Sequence, residues 1–118
     1  MRIISFAWTL DAVLAGRKTK TRRYWNDDYA KRFKKGDLVA GYDRLPRVGG
    51  SQKTTIQLTE APYKQRTSLM TEQDFEDEGL KYMEEQDLWI QLLTPRQFFE
   101  NWQLADEELW VISFKLME

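Results

Sequence analysis

Within Gly16-Arg17-Lys18-Thr19-Lys20-Thr21-Arg22-Arg23, five cations and two hydroxyls fall in eight residues, and Lys31, Arg32, Lys34 and Lys35 follow before the next apolar run. A cationic stretch this short commonly faces an anion; the plainer alternative is a solvated strand face. The chemistry open to the chain is otherwise narrow. It has no histidine, which removes the commonest general base, the commonest metal ligand and every Ser-His or Cys-His arrangement. It has no cysteine either, so disulfides, thiolate nucleophiles and thiolate metal sites are excluded. Any catalysis runs on Lys, Glu, Asp, Tyr, Ser or Thr. No Asp-rich loop with a central Gly and a distal Glu is present to suggest a calcium site, and neither a metal nor a cofactor is expected.

The 118 residues are expected to form one domain over 1–118, and at 42% hydrophobic and 31% charged they read as a globular chain. No apolar run approaches the roughly 20 residues of a membrane span, and the opening residues lack a signal-peptide pattern, so a cytoplasmic protein without a membrane partner is expected. The net charge of -1 hides a division. Residues 1–59 hold 13 Lys/Arg against 5 Asp/Glu, and residues 60–118 hold 5 against 14. The two halves either form opposite faces or meet across a cleft, and either arrangement makes a site.

Several elements must position the cationic stretch. Ile3, Ile4 and Phe6 suggest an opening strand, and Thr9 is expected to cap a short helix bearing Leu10, Val13 and Leu14, with Gly16 as its left-handed stop. Residues 18–24 read as a strand, Asn26 or Asp27 starts a short helix, and Asp37–Tyr42 and residues 53–60 read as further strands. Between those two strands, Arg44-Leu45-Pro46-Arg47-Val48-Gly49-Gly50-Ser51 has the composition of a mobile loop carrying Arg44 and Arg47, a candidate lid. Thr71 with Asp74, and Thr94 with Pro95 and Gln97, are helix-start signatures, each with a hydrophobic staple. The run Leu109–Leu116 predicts a strand buried on both faces. Short strands broken by short helices imply an α+β domain around a small curved sheet or barrel, not a doubly wound parallel sheet.

On these residues the chain resembles the ASCH domain, a PUA-like family marked by Gly-x-Lys-x-x-Glu-x-Arg after its first helix. Gly16, Lys18 and Arg23 match in place, and Thr21 stands where the broader signature has Glu. That substitution is similar to the subgroup with Gly-Arg-Lys-Thr-x-Thr, which includes small amidohydrolases that deacetylate N4-acetylcytidine. The resemblance implies a PUA-like small mixed β-barrel with peripheral short helices. It assigns catalytic roles to Lys18, Thr21 and Glu78, and implies RNA or a modified nucleoside as ligand. It spans most of the chain, with residues 44–53 and 87–104 as additions to the smallest members.

In such a hydrolase Thr21 attacks, Lys18 takes its proton and Glu78 supplies the acid for the leaving nitrogen. A free lysine titrates near about 10.4, so Lys18 needs burial and like-charged neighbours to act as a base. Strand alternation sends Lys18 and Thr21 to opposite faces, so their meeting requires that Lys18 belong to the turn after Gly16, or that a bulge intervene. Glu78 is expected on a helix, at the edge of the buried face of Phe75 and Tyr82. Arg17, Lys20, Arg22, Arg23, Arg44 and Arg47 are candidate phosphate or ligand contacts. Trp8, Trp25 and Tyr42 are candidate stacking surfaces. The competing readings are a non-catalytic RNA-binding module and, with less support in the residues, a ribonuclease.

Overall fold

The computed structural model describes residues 1–117. Strand β1 spans Arg2–Ser5, a single 3-10 turn covers Ala7–Thr9, and helix α1 spans Leu10–Leu14. Thr9 does not cap α1. Its hydroxyl donates to the Phe6 carbonyl at 2.9 Å and is consumed within the preceding turn. Gly16, at φ 74°, ends the helix in the left-handed region.

Strand β2 covers Lys20–Arg23, shorter at its start than the expected 18–24. Arg17 and Lys18 stay in the turn, where both amides donate to the Ala12 carbonyl, at 2.9 and 3.0 Å. Helix α2, Asp27–Ala30, is capped by the Asn26 side chain, which accepts from the Tyr29 amide. Strands β3, Leu38–Tyr42, and β4, Gln52–Leu58, flank the 44–51 loop. Strand β5, Tyr63–Arg66, has no counterpart in the sequence expectations, because its Tyr-Lys-Gln-Arg composition carries no apolar alternation.

Helix α3, Glu72–Asp77, starts with the expected capping box between Thr71 and Asp74. It ends earlier than expected. Glu78 is its C-cap residue and Gly79, at φ 86°, turns the chain into a separate helix α4, Leu80–Glu85. Helix α5, Pro95–Ala105, has the expected Thr94/Gln97 capping box with Pro at its first position. Strand β6, Glu108–Met117, closes the chain.

The six strands run β1-β3-β4-β6-β2, with β5 also paired to β6. β1 and β3 are parallel and the other pairs antiparallel. β6 is the spine: Phe114–Met117 pair with β4, while Trp110–Ser113 pair with β2. The sheet curls so that its two terminal strands meet at a side chain: Arg23 on β2 donates through Nη2 to the Ser5 carbonyl on β1 at 2.7 Å. The result is an α+β fold around a curled, partly open sheet.

Two apolar clusters hold this shape. Ile4, Phe6, Val13, Val39, Ile56 and Phe114 pack inside the sheet, and Met70, Phe75, Leu80, Met83 and Phe99 unite the later helices. Each large buried side chain contributes roughly 1.5–3 kcal/mol by leaving water. No helix among the described residues is long and apolar enough to cross a membrane.

Candidate active site at the open seam of the sheet

The seam between β1 and β2 borders a cavity of about 500 Å³, to which the two apolar clusters contribute Phe6 and Leu80 respectively. Lys18, Thr21, Arg22, Arg23 and Glu78 all line it. Lys18 lies ahead of the strand, in the turn that Gly16 opens, so strand alternation does not fix its direction; its Nζ contacts Glu78, and among the described residues no hydrogen bond joins it to the Thr21 hydroxyl. From Lys20 onward the side chains do alternate. Lys20 and Arg22 turn to α3, at Asp74, Asp77 and Glu78, while Thr21 and Arg23 turn to the seam. β2 ends the principal strand order and pairs with β6, so its other edge lets side chains from both faces border one cavity.

Lys18 is 4% exposed, Thr21 4%, Arg22 6% and Glu78 3%, an unusual concentration of buried polar groups. Such groups are tolerable only when paired. Lys18 Nζ donates to the Glu78 carbonyl at 2.8 Å and to Glu78 Oε1 at 3.2 Å. Arg22 Nη1 donates to Glu78 Oε2 at 2.6 Å, and its Nη2 reaches Gln65 Oε1 at 2.8 Å and Asp74 Oδ1 at 3.2 Å. Arg23 Nε donates to Thr21 Oγ1 at 3.1 Å. Among the described residues the Thr21 hydroxyl donates to no acceptor, and Arg22 Nε–H is a buried donor without a partner.

Burial pushes the Lys18 ammonium below its ordinary value of 10.5; the Glu78 carboxylate opposes this, and Arg23 and Arg22 reinforce it. A neutral amine has two N–H donors and a lone pair. With both donors committed to Glu78, the lone pair occupies the remaining tetrahedral position, which suits a base. Gly79 makes this approach possible: a Cβ there would stand 2.8 Å from Ala12 Cβ and 3.1 Å from Lys18 Cβ.

The opposite wall is aromatic. Trp8 meets Phe98 edge-on at 5.4 Å between ring centroids, and Phe98 adjoins Trp102 at 5.7 Å. Trp8 is directed there from Ala7, whose φ of 48° is a left-handed conformation costing a non-glycine residue about 1 kcal/mol or more. Phe98, Asn101, Trp102 and Ala105 share one face of α5 and line the cavity. Sequence reasoning marked Trp8 as a stacking surface but missed the α5 part of this wall. It assigned Phe98 to a hydrophobic staple and treated residues 87–104 as an addition, although the i, i+4 pair of Phe98 and Trp102 was a visible second aromatic stripe beside core Phe99. Gln65 and Asp74 anchor Arg22, a role not foreseen: no local pattern marks Gln65, and Asp74 was read only as part of the α3 capping box.

Several candidate ligand contacts lie away from the cavity. Arg17 is clasped by Glu76 and Glu85, at 2.8 and 2.9 Å, which raise its pKa through hydrogen bonds and charge. Lys20 pairs with Asp74 and Asp77. Trp25 stacks on Phe33 at 4.5 Å and packs against the sheet core, because the short helix α2 folds back over it. Tyr42 sits in β3 opposite Ser5, and its ring does not line the cavity. Arg44 and Arg47 lie in a loop braced by Asp43, whose Oδ1 accepts from the Arg44 and Ser51 amides at 2.8 and 2.9 Å; none of residues 44–51 lines the cavity, so they form no lid over it. Among the described residues no group of three or more carboxylates is placed to hold a metal ion.

No family model matches the chain, and no curated protein matches it. Among solved structures it is similar to the crystal structure of protein EF3133 from Enterococcus faecalis V583, described under the family model DUF984. The TM-score is 0.59 at 20% identity, covering 99% of this chain and 76% of that one, a likeness of fold.

Proposed function

We propose that the seam cavity binds a modified nucleoside against its aromatic wall and hydrolyses an exocyclic amide on the base, with N4-acetylcytidine as the representative substrate, in a PUA-like barrel of the ASCH type. The observation that carries this reading is the convergence of an amine depressed by burial, a hydroxyl with an uncommitted proton and an aromatic wall on one cavity. The resemblance of Gly16 to Arg23 to the deacetylating subgroup supplies the substrate.

The chemistry divides into two transfers. Neutral Lys18 takes the proton from Thr21 Oγ1 as that oxygen bonds to the acyl carbon. The C–N bond then breaks, and the Lys18 ammonium returns the proton to the leaving nitrogen. In the second transfer Lys18 deprotonates a water that attacks the acyl carbon, and the same proton restores the Thr21 hydroxyl as the carboxylic acid departs. Glu78, expected from the sequence as the acid for the leaving nitrogen, instead accepts at both oxygens, from Lys18 and Arg22. The acid role therefore passes to the Lys18 ammonium, and Glu78 stabilises that cation. Arg23, held between Thr21 and Ser5, fixes the attacking oxygen in place.

The neutralisation of Arg17, Lys20 and Arg22 by carboxylates favours a compact nucleoside over an extended RNA backbone, which needs free cations along its track. The test is incubation of the purified protein with N4-acetylcytidine, with chromatographic measurement of cytidine and acetate in equal amounts. Absence of both products, combined with salt-dependent binding of short single-stranded RNA, would replace hydrolysis with the binding-module reading.

A further inference from the structure

Arg22 reaches the site from behind. Its side chain is 0% exposed, and three neighbours fix the guanidinium: Glu78 at Nη1, Gln65 and Asp74 at Nη2. Asp74 is itself fixed, since its Oδ2 accepts from the Thr71 amide at 2.8 Å. A relay of contacts thus runs from the α3 capping box through Asp74 and Arg22 to Glu78, and from Glu78 to Lys18. Its end is a shared carboxylate, with Oε2 on Arg22 and Oε1 on Lys18.

We infer that Arg22 is a positioning residue for Lys18: by occupying one oxygen of Glu78 it limits the carboxylate to a single contact with the amine and fixes the direction in which that amine faces the cavity. A carboxylate released from Arg22 offers both oxygens to Lys18 and holds it as an ammonium. Loss of the guanidinium also removes a like charge that opposes the Lys18 cation. Both changes act in the same direction, toward protonated Lys18. The other charged groups around Lys18 do not replace Arg22. Arg23 is tied to Thr21 and Ser5, Arg17 to Glu76 and Glu85, and Lys20 to Asp74 and Asp77, while Glu107 lines the cavity from the start of β6.

The kinetic consequence rests on the hydrolase reading, but the coupling itself does not. Its test is a carbon-13 NMR titration of the Lys18 Cε resonance, assigned by its loss in Lys18→Ala, in the wild type, Arg22→Lys and Arg22→Met without substrate. Circular dichroism selects the variants that fold. The expected order of titration midpoints is wild type, then Arg22→Lys, then Arg22→Met, rising. Should only the Lys variant fold, an upward move in it decides the matter. An unmoved or lowered Lys18 midpoint in every folded variant overturns the inference. Where the wild type hydrolyses the amide, the acid limb of kcat/KM moves up with the midpoint, and the rate below that limb falls roughly tenfold for each unit of movement. A limb that stays in place while the NMR midpoint rises counts against Lys18 as the base and leaves the Arg22 coupling standing.

Discussion

The Nε of Arg23 donates to the Oγ1 of Thr21 at 3.1 Å from two residues along the same strand, while its Nη2 spans the seam to the Ser5 carbonyl at 2.7 Å. One side chain therefore aims the hydroxyl and ties the two terminal strands together. Arg23→Gln is expected to lower stability by about 1–2 kcal/mol, the scale of a lost charge-assisted hydrogen bond. Arg23→Lys keeps the charge but not the forked reach, so it should recover stability more fully than kcat. Urea unfolding and steady-state kinetics on both variants separate the two effects.

Gly79 serves both backbone and site. Its φ of 86° disfavours any side chain, and an added Cβ meets Ala12 and Lys18 within 2.8 and 3.1 Å. Gly79→Ala should cost about 2 kcal/mol or more, combining left-handed strain with overpacking. Because Lys18 is one of the two neighbours it crowds, the proposed amide hydrolysis should fall further than the fraction unfolded explains, as read by activity in a folded sample.

The aromatic wall is expected to act on binding. Trp8 is 47% exposed, so Trp8→Ala should leave the unfolding midpoint near that of the wild type. It should raise KM with little change in kcat, the signature of contacts made equally in ground and transition states. Tryptophan fluorescence during titration with cytidine gives an independent reading of the same contact.

The pH dependence follows from the buried amine. Lys18 titrates below its ordinary 10.5, chiefly because burial disfavours the ammonium, so kcat/KM should rise with pH across that lowered midpoint. Between the folded and unfolded midpoints the unfolded chain binds more protons at this residue. Its contribution to stability therefore increases with pH across the same window. A pH–rate profile and urea unfolding at several pH values check the two limbs.

Much of the scaffold was legible in the sequence because its signals are local. The capping boxes at Thr71 and Thr94, the Gly16 stop and the apolar closing strand each depend on residues within one or two turns. Lys18, Thr21 and Glu78 were legible as candidates through one motif and a weaker local match. The long-range anchors around them were not: Gln65 reaches Arg22 across 43 positions, and Phe98 meets Trp8 across a fold that no short window records. Two of the misplaced contacts share a cause. Arg17 and Lys20 were read as ligand contacts from their charge, yet the acidic second half of the chain folds against the basic first half and neutralises them.

The central claim is that Lys18 and Thr21 carry out amide hydrolysis together. Its most direct test is the initial rate of cytidine release from N4-acetylcytidine by the wild type, Lys18→Ala and Thr21→Val, each shown to be folded. The account expects release by the wild type and a fall of about 10²–10⁴-fold in each variant, the usual scale for losing a base or nucleophile. No release by the wild type, or undiminished release by either variant, would contradict it.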